Sequence, residues 1–153
     1  MILSTCCYLK KDGKTLLLHR IKKKEDINKG KWIGIGGKIE KGESPLECVL
    51  REFYEETGLK IKEVTLKGYI TFPGIYYGED EGMFLYVAYD YEGELVKNCK
   101  EGILVWVDDK DISSLPMWEG DRYFDDWLSS PLFTEAKLTY QDDHLIDIKI
   151  NHY

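Results

Sequence analysis

Apolar-rich runs from Met1 to Leu9 and from Thr15 to Ile21 predict two strands, and Asp12-Gly13 between them is the residue pair a tight hairpin favours. Further along, the pattern predicts a strand over Ile33 to Glu40, a helix from Pro45 to Thr57, and strands near Val64 to Phe72 and Met83 to Tyr89. Ile103 to Val107 reads as another strand, Gly120 to Leu128 as a second helix, and Phe133 to Ile150 as two strands around Gln141-Asp142-Asp143. Interleaved strands and helices predict an α/β fold with a mixed sheet flanked by helices. No repeat, linker or low-complexity tract interrupts the chain, so residues 1–153 read as a single domain.

The first helix has explicit end signals. Ser44 can cap it, Pro45 suits its first turn, Glu47 completes a Ser-x-x-Glu capping box, and Gly58 follows its last turn. Leu46, Val49, Leu50 and Phe53 recur at helical spacing and predict one apolar face, while Glu52, Glu55 and Glu56 fall within an arc of about 100° on another side. Like charges three or four residues apart repel, and Arg51 is the only adjacent cation. Two readings follow from the residues alone: a solvated acidic face, or a site for a hard divalent ion such as Mg²⁺ or Mn²⁺.

Composition narrows the partners. The chain has 153 residues, 43% hydrophobic and 32% charged, the balance of a globular protein with a substantial core. A net charge of −7 repels polymeric nucleic acid, so a phosphorylated ligand needs a local cation. No apolar run reaches the roughly 20 residues of a membrane span, and Met1 to Lys11 lacks the order of a secretory signal, so the expected setting is cytoplasmic, with no membrane partner. Cys6, Cys7, Cys48 and Cys99 lack metal-site spacing, and the first two should point to opposite strand faces, so reduced thiols are expected. Lys22-Lys23-Lys24, followed by Glu25 and Asp26, reads as a solvated loop in preference to one that steers phosphate.

From Gly37 the chain runs through five residues to Glu43, then seven more to Arg51-Glu52-Phe53-Tyr54-Glu55-Glu56-Thr57-Gly58-Leu59. This segment resembles the signature of the Nudix hydrolases at every defined position. The resemblance implies a Nudix-type α/β/α sandwich with a mixed sheet, and Mg²⁺-dependent hydrolysis of a nucleoside diphosphate linked to another moiety. It implies Glu52, Glu55 and Glu56 as metal ligands, a backbone oxygen from Gly36 or Gly37, Arg51 holding a carboxylate by a salt bridge, and Glu43 in support. The glycines suit that role, because backbone without a Cβ lets a metal or phosphate approach closely. The proton-accepting base remains open among Glu52, Glu56 and Glu101, the last preceding the Ile103 to Val107 strand.

Outside the signature, Trp32-Ile33-Gly34-Ile35-Gly36-Gly37-Lys38 and Leu115-Pro116-Met117-Trp118-Glu119-Gly120-Asp121 resemble segments of MutT-type enzymes that hydrolyse oxidised purine nucleoside triphosphates. The resemblance makes Trp32, Gly36, Gly37, Lys38, Phe72, Met83, Trp118 and Asp121 candidates for binding the nucleotide, 8-oxo-dGTP among others. Trp118 could stack on a base and Asp121 accept from a purine N–H. The chain departs from some oxidised-purine enzymes at Ile33, where they carry Asn, and at Gly120-Asp121, where they carry paired Asp. Two alternatives stand beside this reading. Pro73, fifteen positions past Gly58, matches a Pro of ADP-ribose-cleaving relatives and is equally a turn residue. A non-catalytic nucleotide-sensing module is the other.

Overall fold

The computed structural model describes residues 1–96 and 99–153. In chain order the elements are β1 (Ile2–Lys11), β2 (Lys14–His19), β3 (Trp32–Ile33), α1 (Pro45–Thr57), β4 (Lys60–Tyr76), β5 (Glu79–Glu92), β6 (Ile103–Asp108), α2 (Phe124–Ser129), β7 (Thr134–Gln141) and β8 (His144–His152). They form one mixed sheet ordered β3-β2-β1-β5-β4-β7-β8, with β6 pairing β2. The β1–β5 and β4–β7 pairs are parallel and the rest antiparallel.

Central strands buried on both faces need apolar residues at successive positions, and β1, β2 and β5 have them. Cys7, Leu9, Leu16, Leu18, Tyr86 and Ala88 point to one face and pack with Val49 and Phe53 of α1. Tyr8, Leu17, Leu85 and Val87 point to the other and pack with Phe124, Trp127 and Leu128 of α2. The result is the expected α/β/α sandwich. Cys6 and Cys7 do face opposite ways, and all four cysteines are free. Among the described residues no helix is long and apolar enough to cross a membrane.

Three expectations change. The strand predicted over Ile33 to Glu40 is regular only at Trp32–Ile33. Beyond Lys11–Lys14 and Leu9–Leu16 the strands β1 and β2 splay, and the following segment lies along β1 as irregular backbone. It is tied there by Cys7 N–H to Ile35 O at 2.7 Å and Thr5 N–H to Gly37 O at 2.8 Å. A Cβ on Gly36 would stand 1.9 Å from the Thr5 carbonyl oxygen, so only glycine permits this approach. The predicted Gly120 to Leu128 helix is a 3₁₀ turn over Glu119–Tyr123 that runs into α2.

The third correction concerns α1. Val49 and Phe53 are fully buried, each contributing roughly 1.5–3 kcal/mol of burial. Leu46 and Leu50, expected on the same face, are exposed. The helix is rolled so that Cys48 and Thr57 complete the inner face in their place. This roll carries Glu52 and Glu56 toward the protein and leaves Glu55 outermost.

Candidate active site

The helix is fixed at both ends as its sequence predicts. Ser44 Oγ accepts from Glu47 N–H at 3.1 Å, Glu47 Oε1 accepts from Ser44 N–H at 2.9 Å, and Gly58, with φ 78°, donates to Tyr54 O at 2.8 Å. On this rigid element Arg51 organises the acidic side chains. Its Nε and Nη2 donate to Glu43 at 2.5 and 2.9 Å, and its Nη1 reaches Glu52 at 2.9 Å and Glu55 at 3.2 Å. The planar guanidinium can serve several carboxylates at once, as a lysine could not. Hydrogen bonds from Arg51, reinforced by one from Glu40 N–H, pull the Glu43 carboxyl down to about 2.

Across from the helix lies the glycine segment. A Cβ on Gly37 would meet the Glu52 carboxyl carbon at 2.5 Å, so the carboxylate lies directly against this backbone. The Gly37 carbonyl already accepts from Thr5 N–H, whereas the Gly36 carbonyl accepts from none of the described groups. Of the two backbone oxygens expected from sequence, Gly36 therefore keeps the free one.

Glu52, Glu56 and Glu101 line a single cavity of about 540 Å³. Glu56 Oε2 is buried there without a hydrogen-bond partner. Burial, then the charges of Glu101 and Glu52, push the Glu56 carboxyl up to about 8, with Arg20 opposing. Burial also raises Glu52, against the pull of Arg51. An unpartnered carboxylate oxygen beside two further carboxylates is a place where a divalent cation fits, since it would supply the missing positive charge. Among the described residues no three potential ligands converge into a closed metal site on their own, and Glu55, on the outer side of Arg51, does not line the cavity.

At its other end the cavity is bounded by Phe72, Met83, Trp118, Asp121 and Tyr140. The indole N–H of Trp118 donates to Asn28 Oδ1 at 2.7 Å, Tyr140 meets the ring edge-on at 5.1 Å, and Lys31 Nζ covers it at 4.3 Å. Burial pushes the Asp121 carboxyl up to about 7, despite Arg122 and Lys31. Gly120 donates to Tyr140 Oη at 2.7 Å, and a Cβ there would stand 2.6 Å from both that oxygen and Leu138. The tyrosine thus fills the space a second aspartate would need.

Lys38 lines the cavity mouth, its Nζ 2.7 Å from Tyr76 Oη. Trp32 does not line this cavity; it stacks on His19 at 4.3 Å and borders a smaller one behind. Pro73 is also outside it, in the stretch of β4 between Phe72 and Tyr76 where the register with β5 shifts.

A glycine segment facing a capped acidic helix, with Arg51 clamping its carboxylates, has a counterpart among known proteins. The NUDIX domain family model matches residues 3–128. This chain belongs to the NUDIX family. A Nudix hydrolase of Bacillus subtilis, YvcI, described as uncharacterized, is 40% identical over 127 residues, 81% of this chain and 77% of that protein. The oxidized purine nucleoside triphosphate hydrolase of Danio rerio is 36% identical over 117 residues, 75% of this chain and 70% of its own. The crystal structure of a mutator MutT protein from Bacillus halodurans superposes with a TM-score of 0.87 at 31% identity, covering 99% of this chain and 98% of that one. As a Nudix hydrolase the chain is an enzyme of a family that works with divalent metal ions on nucleotide substrates.

Sequence reasoning missed Arg20, Asn28, Tyr76 and Tyr140 in this Nudix cavity, and the solvated loop it expects is corrected, because Lys23 and Asp26 line the cavity and Asp26 is almost fully buried. One signal was available. Asp26 and Asn28 stand two apart, the spacing of an Asx turn, and Asp26 Oδ1 does accept from Asn28 N–H at 3.0 Å.

Proposed function

We propose that this Nudix hydrolase cleaves an oxidised purine nucleoside triphosphate, such as 8-oxo-dGTP, to the nucleoside monophosphate and pyrophosphate. The observation that carries this reading is the continuity of one cavity, from Glu52, Glu56 and Glu101 at one end to Trp118 and Asp121 at the other. The Danio rerio relative, named for that activity, supports it. The partner is a nucleotide and not a nucleic-acid polymer, in keeping with the net charge of −7.

Glu52, Glu56 and the Gly36 carbonyl, which line the cavity, would hold Mg²⁺, or Mn²⁺ in its place, which when bound neutralises polyphosphate charge and polarises the attacked phosphorus; Glu55, the further ligand that the family signature implies, stands outside the cavity beside Arg51. Arg51 keeps Glu52 and Glu55 directed and Glu43 anchors Arg51, so the carboxylates are set before substrate arrives. Lys38 meets the polyphosphate at the cavity mouth. Trp118 offers a ring face to the base, Phe72 and Met83 close the apolar walls, and Asp121 reads a polar purine edge. A carboxylate oxygen of Glu101 or Glu56 accepts the proton of the attacking water as its oxygen bonds to phosphorus and the P–O bond to pyrophosphate breaks.

The test is product analysis with Mg²⁺ and three separate substrates: 8-oxo-dGTP, dGTP and ADP-ribose. Monophosphate and pyrophosphate, formed fastest from 8-oxo-dGTP, are expected. Preference for ADP-ribose would replace the substrate assignment, and tight binding without turnover would point to a sensing module.

A further inference from the structure

The loop between β2 and β3 crosses the cavity, and its residues Arg20, Asp26 and Asn28 join the two ends of the site. Asp26 is almost fully buried, its side chain 4% exposed, and both its oxygens are used. Oδ2 accepts from Arg20 Nε at 2.7 Å, and Arg20 Nη1 donates to Glu101 Oε2 at 2.6 Å. Oδ1 accepts from Asn28 N–H at 3.0 Å, and Asn28 Oδ1 accepts the Trp118 indole N–H at 2.7 Å. An indole nitrogen can only donate, so the amide oxygen of Asn28 must face it, which fixes the amide's orientation. One buried carboxylate therefore sits between two hydrogen-bonded arms, one ending on an acidic group and the other on the aromatic platform.

We infer that Asp26 is a positioning residue that sets both ends of the nucleotide site, holding Glu101 through Arg20 and Trp118 through Asn28. The inference rests on the nucleotide-hydrolase reading for its consequence, though the two arms are properties of the free protein. Each arm has a separable role. Arg20 neutralises and directs Glu101, so its loss acts on the chemical step. Asn28 fixes the plane of Trp118, so its loss acts on base binding. Lys23, 3.2 Å from Glu101, is half exposed and cannot replace a buried guanidinium that is itself anchored. The loop's backbone supports both arms, with Gly30 N–H to Arg20 O at 2.7 Å and Arg20 N–H to Lys31 O at 3.0 Å closing its base.

The experiment compares Asp26→Asn, Arg20→Lys and Asn28→Ala by NMR and by kinetics on 8-oxo-dGTP with Mg²⁺. In the metal-free and nucleotide-free protein, Asp26→Asn should shift both the Arg20 Nε–H and the Trp118 indole N–H resonances, while leaving the Trp127 indole in place. Arg20→Lys should leave the Trp118 resonance unmoved and lower kcat about tenfold, and Asn28→Ala should shift Trp118 and raise KM about tenfold with kcat kept. Asp26→Asn should do both. Movement of one resonance or neither in Asp26→Asn, or identical kinetic defects in the two arm variants, would overturn the inference. Absence of wild-type turnover would instead count against the nucleotide reading, because the resonances are read without substrate.

Discussion

Gly37 lies so close to Glu52 that a single added methyl would stand 2.5 Å from the carboxyl carbon. The neighbour that would have to yield is the end of a flexible side chain, not backbone. Gly37→Ala should therefore cost little stability and much activity. A displacement of about 1 Å in a positioned group can lower turnover roughly 100-fold. Measuring kcat alongside Tm checks this; unchanged turnover would show that Glu52 need not hold its present place.

Arg51 makes bonds to three acidic side chains with one planar group, and only arginine can do so in this geometry. Arg51→Lys should keep the positive charge but release either Glu43 or Glu52. Turnover is expected to fall about 10- to 100-fold with a modest loss of Tm. Acid titration gives a second check. The Glu43 carboxyl is held down to about 2 in the fold, so its stabilising share is present above the ordinary glutamate range and is lost as pH falls through about 2. In the lysine variant that loss should move to higher pH.

These two residues also mark what sequence alone reveals. The ends of α1 were legible because a capping box and a terminal glycine are local signals, and both are formed. The roll of the helix was not. Whether Leu50 or Cys48 turns inward depends on what β1 and β4 present, and that choice separates Glu56, in the cavity, from Glu55, outside it. Likewise the segment after Ile33 carries apolar residues at strand spacing, yet it must fill the gap between two splayed strands, so Gly34, Gly36 and Gly37 follow the contours of β1 instead. Arg20 and Glu101, 81 positions apart, meet only through the pairing of β2 with β6, which no local pattern encodes.

Glu56 offers a test of the cation reading that does not depend on substrate. Its carboxyl is raised from 4.5 to about 8 by burial and by Glu101 and Glu52, so between those values the folded chain binds a proton that the unfolded chain has released. Stability of the metal-free protein should then fall as pH rises through that window. Glu56→Gln removes the effect: its Tm should exceed that of the wild type at about pH 9, and the two should converge below about pH 4. Added Mg²⁺ should raise the wild-type Tm and leave the glutamine variant nearly unmoved. Equal stabilisation of both by Mg²⁺ would remove Glu56 from the ligand set.

Trp118 is held by Asn28 through its indole N–H, by Lys31 over the ring and by Tyr140 in a T-shaped contact, and it lines the cavity where a base would lie. Trp118→Ala should raise KM for purine substrates, with a cost on the order of 1–3 kcal/mol for a lost stacking partner, while kcat changes little. Thermal stabilisation by Mg²⁺ alone should persist. A proportionate loss across purine and pyrimidine triphosphates would mean that the ring supports the fold instead of selecting the base.

Asp121 is pushed up to about 7 by burial, so near neutrality it changes between a carboxyl that can donate and a carboxylate that only accepts. The ratio of kcat/KM for 8-oxo-dGTP to that for dGTP should therefore vary with pH around this value, since the two purines present different donors and acceptors. Asp121→Asn, which donates and accepts at every pH, should flatten that variation. The stability sign follows from the same shift. The folded protein retains this proton between about 3.8 and about 7 while the unfolded chain has lost it, so the wild type loses stability relative to Asp121→Asn as pH rises through that interval. Denaturation at about pH 8 should thus find the asparagine variant more stable, with the gap closing below about pH 4. A constant gap across the range would place the titration elsewhere.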